Sequence, residues 1–103
     1  MSVLMEFAMF PTDKGESVSP YVSRIIKMID ESGFEYRLTP MGTVVEAGSL
    51  QEIMGIVEKA HEVLEPDCNR IYSTIKLDIR KGAENRLEGK VKSVEEKIGK
   101  VKK

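Results

Sequence analysis

The feature that most constrains the fold is the order in which two hydrophobic periodicities follow one another along the chain. Mainly apolar and mainly polar side chains alternate strongly from Arg70 to Arg80, and a two-residue period also runs from Val3 to Phe10, with Val3, Met5, Phe7 and Met9 on one face. Successive side chains of a strand point to opposite faces of a sheet, so both segments predict β-strands with one apolar face. We expect the first strand to end at Pro11.

Two segments between these strands have the three- and four-residue spacing of an amphipathic helix. In the first, Ser19 followed by Pro20 predicts a capped helix start, and Gly33 predicts its end. In the second, Ser49 and Glu52 have the spacing of a capping box. Each helix has one apolar stripe, which must pack against a sheet.

Two short extended runs, at residues 34–38 and 43–47, flank a turn that contains Pro40 and Gly42 and predict a hairpin. The predicted order is therefore β-α-β-β-α-β, which right-handed crossovers arrange as a four-stranded antiparallel sheet with both helices on one face. We predict a single α+β domain over residues 1–103, a ferredoxin-like βαββαβ sandwich. A C-terminal helix is expected at about residues 90–101, and it must dock on a partner surface because it is too short to be stable alone.

Composition and charge exclude several classes of protein. A net charge of -1 gives no field that favours nucleic acid or an anionic membrane, and no apolar run approaches the length of a membrane helix. One cysteine, Cys68, excludes zinc fingers and disulfide frameworks, and the single histidine, His61, has no partner at catalytic spacing. No signal peptide is recognisable, so we expect a cytoplasmic protein without a metal, a cofactor or a nucleic-acid partner.

The predicted topology leaves one face of the sheet without helices, which we call the open face. Its apolar and ionisable side chains are typical of a surface that pairs with another copy, so we expect a symmetric oligomer. Glu6 can neighbour both Glu46 and Lys76 there, which suggests either recognition of a polar heterocycle or simple ion pairing between strands and subunits. Strand parity assigns these residues to the open face: Leu4, Glu6, Ala8, Val44, Glu46, Tyr72, Thr74, Lys76 and Asp78.

Several segments resemble the thiamine-binding protein family, also called YkoF-like. The most specific are the LTPMGT turn at residues 38–43 and the TIKLDIR strand at residues 74–80; SVSPYV at 17–22 and Ala60-His61 add to them, so the likeness covers nearly the whole chain. The resemblance implies a ferredoxin-like subunit, assembly into tetramers built as dimers of dimers, and binding of thiamine or its hydroxymethylpyrimidine moiety.

The resemblance also implies a non-catalytic role in which a small molecule is captured reversibly. A carboxylate would accept hydrogen bonds from the exocyclic amine of an aminopyrimidine, the hydroxyls of Ser19 and Thr43 would bind its edge, and Met41 or Tyr21 would cover the ring. Two alternatives are a structural or regulatory oligomer without such a ligand and an enzyme that acts on a pyrimidine-like compound. The predicted ligand-binding residues are Glu6, Ser19, Tyr21, Thr39, Met41, Gly42, Thr43, Glu46, Thr74, Lys76 and Asp78.

Overall fold

The computed structural model describes residues 1–102 and confirms the predicted order of elements. The strands are β1 (Ser2–Pro11), β2 (Glu35–Thr39), β3 (Gly42–Ala47) and β4 (Ile71–Arg80). The helices are α1 (Ser19–Ser32), α2 (Leu50–Leu64) and α3 (Arg86–Ile98), and a single 3-10 turn (Glu65–Asp67) follows α2. The architecture is the ferredoxin-like α+β fold that the hydrophobic periodicities predict.

The sheet has the order β2-β3-β1-β4, and every pair of neighbouring strands is antiparallel. β1 is central because it pairs with β3 on one side and with β4 on the other. The β1–β4 ladder extends over ten residue pairs, from Ser2 opposite Arg80 to Pro11 opposite Ile71. β4 forms one edge of the sheet along its whole length, and β2 forms the other.

The hydrophobic core lies between the sheet and the pair α1 and α2. Each strand contributes alternate residues to it, and each helix contributes one stripe, as the periodicities require. The fully buried side chains at its centre are Val3, Met5, Ile29, Val45, Ile53 and Leu64.

The two predicted helix starts have different outcomes. Ser49 caps α2 as expected, since its hydroxyl oxygen accepts the N–H of Glu52 at 3.2 Å. Ser19 does not cap α1: Val18 occupies the N-cap position, and its carbonyl accepts the N–H groups of Tyr21 and Val22 at 3.0 Å. Ser19 is the first helical residue, so its hydroxyl lies one position too far into the helix to act as a cap.

α3 begins at Arg86, earlier than the sequence predicts, and packs on the face of the sheet opposite to α1 and α2. It contacts β1, β2 and β3 of its own chain, so the expectation of an uncovered open face is wrong for that part of the sheet. The turn into α3 is made by Asn85, whose φ of 54° is left-handed. Among the described residues, none of the helices is long and apolar enough to span a membrane.

Candidate ligand site

A pocket of about 280 Å³ lies between the β2–β3 turn, the first turns of α1 and the second half of β1. We call it the turn pocket. Its volume is close to the lower end of the range for small-molecule sites, about 300 to 1,000 Å³. Its lining residues are Phe7, Ala8, Met9, Phe10, Val18, Val22, Ile25, Ile26, Leu38, Thr39, Pro40, Met41, Gly42 and Thr43.

Gly42 sets the shape of the pocket floor. Its φ is 154°, and a Cβ atom at this position would lie 3.0 Å from the carbonyl oxygen of Phe7. Only glycine therefore lets β3 start this close to β1 without moving the backbone.

The side chain of Thr39 stabilises the turn above the pocket through hydrogen bonds to the main chain. Its hydroxyl accepts the N–H of Met41 at 3.2 Å and donates to the carbonyl of Gly42 at 2.8 Å. The side chain of Met41 is 89% exposed and stands at the mouth of the pocket. A long flexible thioether at such a mouth can close over a bound ring.

The chemistry of the turn pocket suits an uncharged ring with a few polar atoms. None of its lining residues carries a charge, and most are aliphatic or aromatic. Thr43 as a whole is only 4% exposed, and within the described part of the chain its hydroxyl makes no hydrogen bond. No side-chain polar atom buried among the described residues lacks a partner, so this hydroxyl oxygen is accessible in the pocket rather than buried. An accessible hydroxyl on an otherwise apolar wall can form a hydrogen bond with a ligand in the pocket.

The structure separates the predicted ligand-binding residues into two groups. Thr39, Met41, Gly42 and Thr43 line the turn pocket. Ser19 and Tyr21 lie nearby at the start of α1 but do not line it. The ring of Tyr21 instead packs against the core and under the guanidinium of Arg24, 4.9 Å from its centroid. Val18 and Val22 line the pocket instead of Ser19 and Tyr21.

The second group lies on the open face, on the other side of the sheet: Glu6, Glu46, Thr74, Lys76 and Asp78. Glu6 is opposite Lys76 and forms an exposed ion pair with it at 3.5 Å, as the sequence suggested, whereas Glu46 is opposite Leu4 and only diagonal to Glu6. Because the sheet separates the two groups, a ring-sized ligand in one subunit contacts one group or the other.

Glu46 has partners within its own chain. It accepts the hydroxyl of Ser2 at 2.6 Å and the N–H groups of Arg86 and Leu87 at 3.0 and 3.2 Å. Partial burial alone would raise the pKa of Glu46, but these three hydrogen bonds and the charge of Arg86 outweigh burial and hold its pKa below the usual value. The carboxylate thus caps the N-terminus of α3.

Arg86 completes this anchor, which we call the α3 clamp (Ser2, Glu46, Asp78 and Arg86). Its guanidinium donates to the carboxylate of Asp78 at 2.8 Å, to the hydroxyl of Ser2 at 3.0 Å, and to the carbonyls of both residues. Its side chain is only 12% exposed. Two of the predicted open-face residues, Glu46 and Asp78, therefore hold α3 in place.

The apolar lining of the turn pocket was not found by sequence reasoning. Phe7, Ile25 and Ile26 follow the periodicity of their strand and helix, which identifies them as inward-facing but does not separate a pocket wall from a filled core. Cys68 is 7% exposed, and burial raises the pKa of its thiol, which disfavours a reactive thiolate. His61 is exposed on α2. Within residues 1–102 no cluster of His, Cys, Asp or Glu could hold a metal ion.

Fold and pocket together define a ferredoxin-like α+β domain with a small, mostly apolar cavity under its β-hairpin. The chain belongs to the thiamine-binding protein family, whose family model matches residues 5–95. A relative of the UPF0045 group from Methanothermobacter thermautotrophicus is 41% identical over 83 residues, which are 80% of this chain and 84% of the relative. Another from Methanocaldococcus jannaschii is 37% identical and covers 91% of this chain and 93% of its own.

Solved structures of similar proteins have the same fold. The crystal structure of the Methanocaldococcus jannaschii protein has a TM-score of 0.81 at 37% identity and covers 92% of this chain and 97% of that one. A Thermotoga maritima structure, assigned provisionally to thiamine biosynthesis or salvage, has a TM-score of 0.78 at 26% identity, covering 91% of this chain and 99% of that one.

Proposed function

We propose that this protein binds thiamine or its hydroxymethylpyrimidine moiety reversibly in the turn pocket, acts in the cytoplasm as a homo-oligomer, and makes or breaks no bond. The observation that carries this proposal is a ring-sized, uncharged and mostly apolar pocket in which the hydroxyl of Thr43 is available to a ligand. The family supplies the class of ligand, and the name of the Thermotoga maritima structure refers to the same vitamin.

The chemistry of the pocket changes the binding mode that the sequence suggested. No carboxylate lines the turn pocket, so the exocyclic amine of the pyrimidine would donate to uncharged acceptors, namely the hydroxyl oxygen of Thr43 and main-chain carbonyls of the turn. Phe7 and Met41 would contact the two faces of the ring. Uncharged walls favour the neutral aminopyrimidine and give no compensation for a phosphate group.

A thermal-shift screen tests the ligand directly. Thiamine, its mono- and diphosphate and hydroxymethylpyrimidine would each be added at millimolar concentration to the full chain. A ligand at a hundred times its Kd adds about 2.7 kcal/mol to the free energy of unfolding, and the midpoint should rise by several degrees in a domain of this size. No rise with any of the four compounds refutes the proposed ligand class.

A matched pair of threonine variants tests the position of the site. Thr43→Val removes the hydroxyl from the turn pocket, and Thr74→Val makes the same change on the open face. For the ligand found in the screen, we expect titration calorimetry to show about fivefold weaker binding by Thr43→Val, equivalent to one lost hydrogen bond of about 1 kcal/mol, and unchanged binding by Thr74→Val. Unchanged binding by Thr43→Val, or weaker binding by Thr74→Val alone, contradicts a site in the turn pocket.

A further inference from the structure

The apolar row of β4 is only partly covered. Ile75, Leu77 and Ile79 are opposite Phe7, Met5 and Val3 of β1, which are all buried, so the row belongs to the helix side of the sheet. Nevertheless these three β4 side chains are 38%, 41% and 49% exposed. Paired residues of β1 and β4 on the helix side of the sheet thus differ sharply in exposure.

The position of the helices explains this difference. α2 packs mainly on β1 and β3 and makes fewer contacts with β4, so it does not cover the outer edge of the sheet. We call Ile75, Leu77 and Ile79 the β4 strip.

The backbone of β4 is also free on its outer side. Within the described chain no strand pairs with that edge, which is ten residues long. Proline and bulges are common ways in which monomers protect such an edge; β4 contains no proline, and its pairing with β1 is uninterrupted. A long regular edge beside an apolar strip favours pairing with another strand.

The sequence of β4 is complementary to itself in one antiparallel register. With Leu77 opposite Leu77 of a second copy, Ile75 is opposite Ile79 of that copy, so the strip meets only apolar residues. In the same register Lys76 is opposite Asp78 on the other face, which forms two opposite-charge pairs across the two-fold axis.

Neighbouring registers are less favourable. A shift that centres Lys76 sets two lysines opposite each other, and one that centres Asp78 sets two aspartates opposite each other. A shift that centres Ile75 places Leu77 opposite Ser73 and loses both ion pairs. Shifts that pair residues of opposite parity would turn the apolar rows to different faces.

We propose that β4 pairs with β4 of a second copy around a two-fold axis at Leu77, which joins two four-stranded sheets into one of eight strands. This inference deepens the proposed function by assigning a surface to its oligomer. It rests on that proposal only in this respect, because a monomer can still bind ligand and a dimer can fail to.

Molar mass from light scattering at micromolar concentration tests the interface. The wild-type mass should be a dimer or a multiple of one, and Leu77→Asp should halve it. Leu38→Asp at the opposite edge and Tyr72→Asp on the open face are the controls, since both side chains are exposed and lie outside the β4 strip. A wild-type monomer, an unchanged mass for Leu77→Asp, or a mass that only Tyr72→Asp halves overturns the proposal; circular dichroism checks that each variant is folded.

Disulfide trapping tests the register independently of stability. In a chain with Cys68→Ala, Leu77→Cys should form covalent dimers on mild oxidation faster than Ile75→Cys, because only residue 77 lies opposite its own copy. Faster trapping by Ile75→Cys, or no trapping by Leu77→Cys, overturns the register with Leu77 on the axis.

Discussion

Glu46, near the end of the interior strand β3, accepts the main-chain N–H of Arg86 at 3.0 Å, across 40 residues of sequence. This contact joins a strand residue to the first turn of the C-terminal helix. It explains why α3 begins at Arg86: the carboxylate satisfies N–H groups that a helix start otherwise leaves to water. It also gives Glu46 a structural role on the face where the sequence suggested a ligand.

Replacing Glu46 tests the α3 clamp. Glu46→Gln removes the negative charge at the N-terminus of α3 and places an amide NH2 where N–H groups now donate. We expect the free energy of unfolding in urea to fall by about 1 to 2 kcal/mol, the range for the loss of a helix cap. Glu6 lies on the same face of the sheet and forms an exposed ion pair, so Glu6→Gln should change the free energy of unfolding by less than about 0.5 kcal/mol. Equal effects of the two variants would show that the clamp contributes no more than a surface pair.

The lowered pKa of Glu46 predicts a pH dependence of stability. A carboxyl group whose pKa is lower in the folded than in the unfolded chain stabilises the fold above its unfolded pKa, about 4.3. That contribution is lost as the pH falls through the folded pKa. The difference in unfolding free energy between the wild type and Glu46→Gln should therefore be constant at neutral pH and shrink below about pH 4.5.

The control for this measurement is internal to the protein. Asp13 and Asp67 also have lowered pKa values, the first through the N–H of Asn69 and the second through Arg24, and they destabilise both proteins equally in acid. Subtraction of the two curves removes their effect. A difference that stays constant down to pH 3 would contradict a role for the Glu46 charge.

A lysine should not be able to replace the guanidinium of Arg86 in the α3 clamp. Arg86→Lys keeps the charge but cannot donate at once to Asp78 and to both oxygens of Ser2, so we expect a loss of about 1 to 3 kcal/mol. Arg37→Lys is the matched control, because Arg37 forms an exposed ion pair with Glu88 of α3 at 3.3 Å. Urea denaturation measures both variants, and a similar loss in each would refute the special role of Arg86.

Two glycine substitutions separate a required glycine from a tolerated one. Gly42→Ala brings a Cβ against the carbonyl oxygen of Phe7, so it should destabilise the fold by about 1 to 3 kcal/mol and weaken ligand binding in the turn pocket. Gly55→Ala in α2 meets nothing within 4 Å and should stabilise the fold by about 0.5 to 1 kcal/mol. Thermal or urea unfolding of both variants checks the opposite signs, and a stable Gly42→Ala would contradict the close approach.

Local patterns in the sequence predict most of the fold. Strand alternation, the Ser49 cap and the Pro40-Gly42 turn act within a few residues of one another, so their outcome is legible without the tertiary structure. The predicted cap at Ser19 fails by one position, since Ser and Pro patterns locate a helix start only approximately.

The candidate site depends more strongly on distant contacts. The sequence identified the turn from Thr39 to Thr43, but it grouped these residues with Glu6 and Lys76, which lie on the other face of the sheet. Parity assigns a residue to a face, whereas the location of a pocket depends on how far each helix covers the sheet. No spacing in the sequence encodes that coverage.

By itself, the sequence determined the order of strands and helices, the residues on each face of the sheet and the family, because each of these follows from local periodicity and motif. Only the tertiary structure decided that α3 packs on its own open face, that Glu46 caps it, and that the row from Ile75 to Ile79 remains exposed at an edge. The physical reason is that burial and hydrogen bonding between distant elements depend on how complete surfaces fit together.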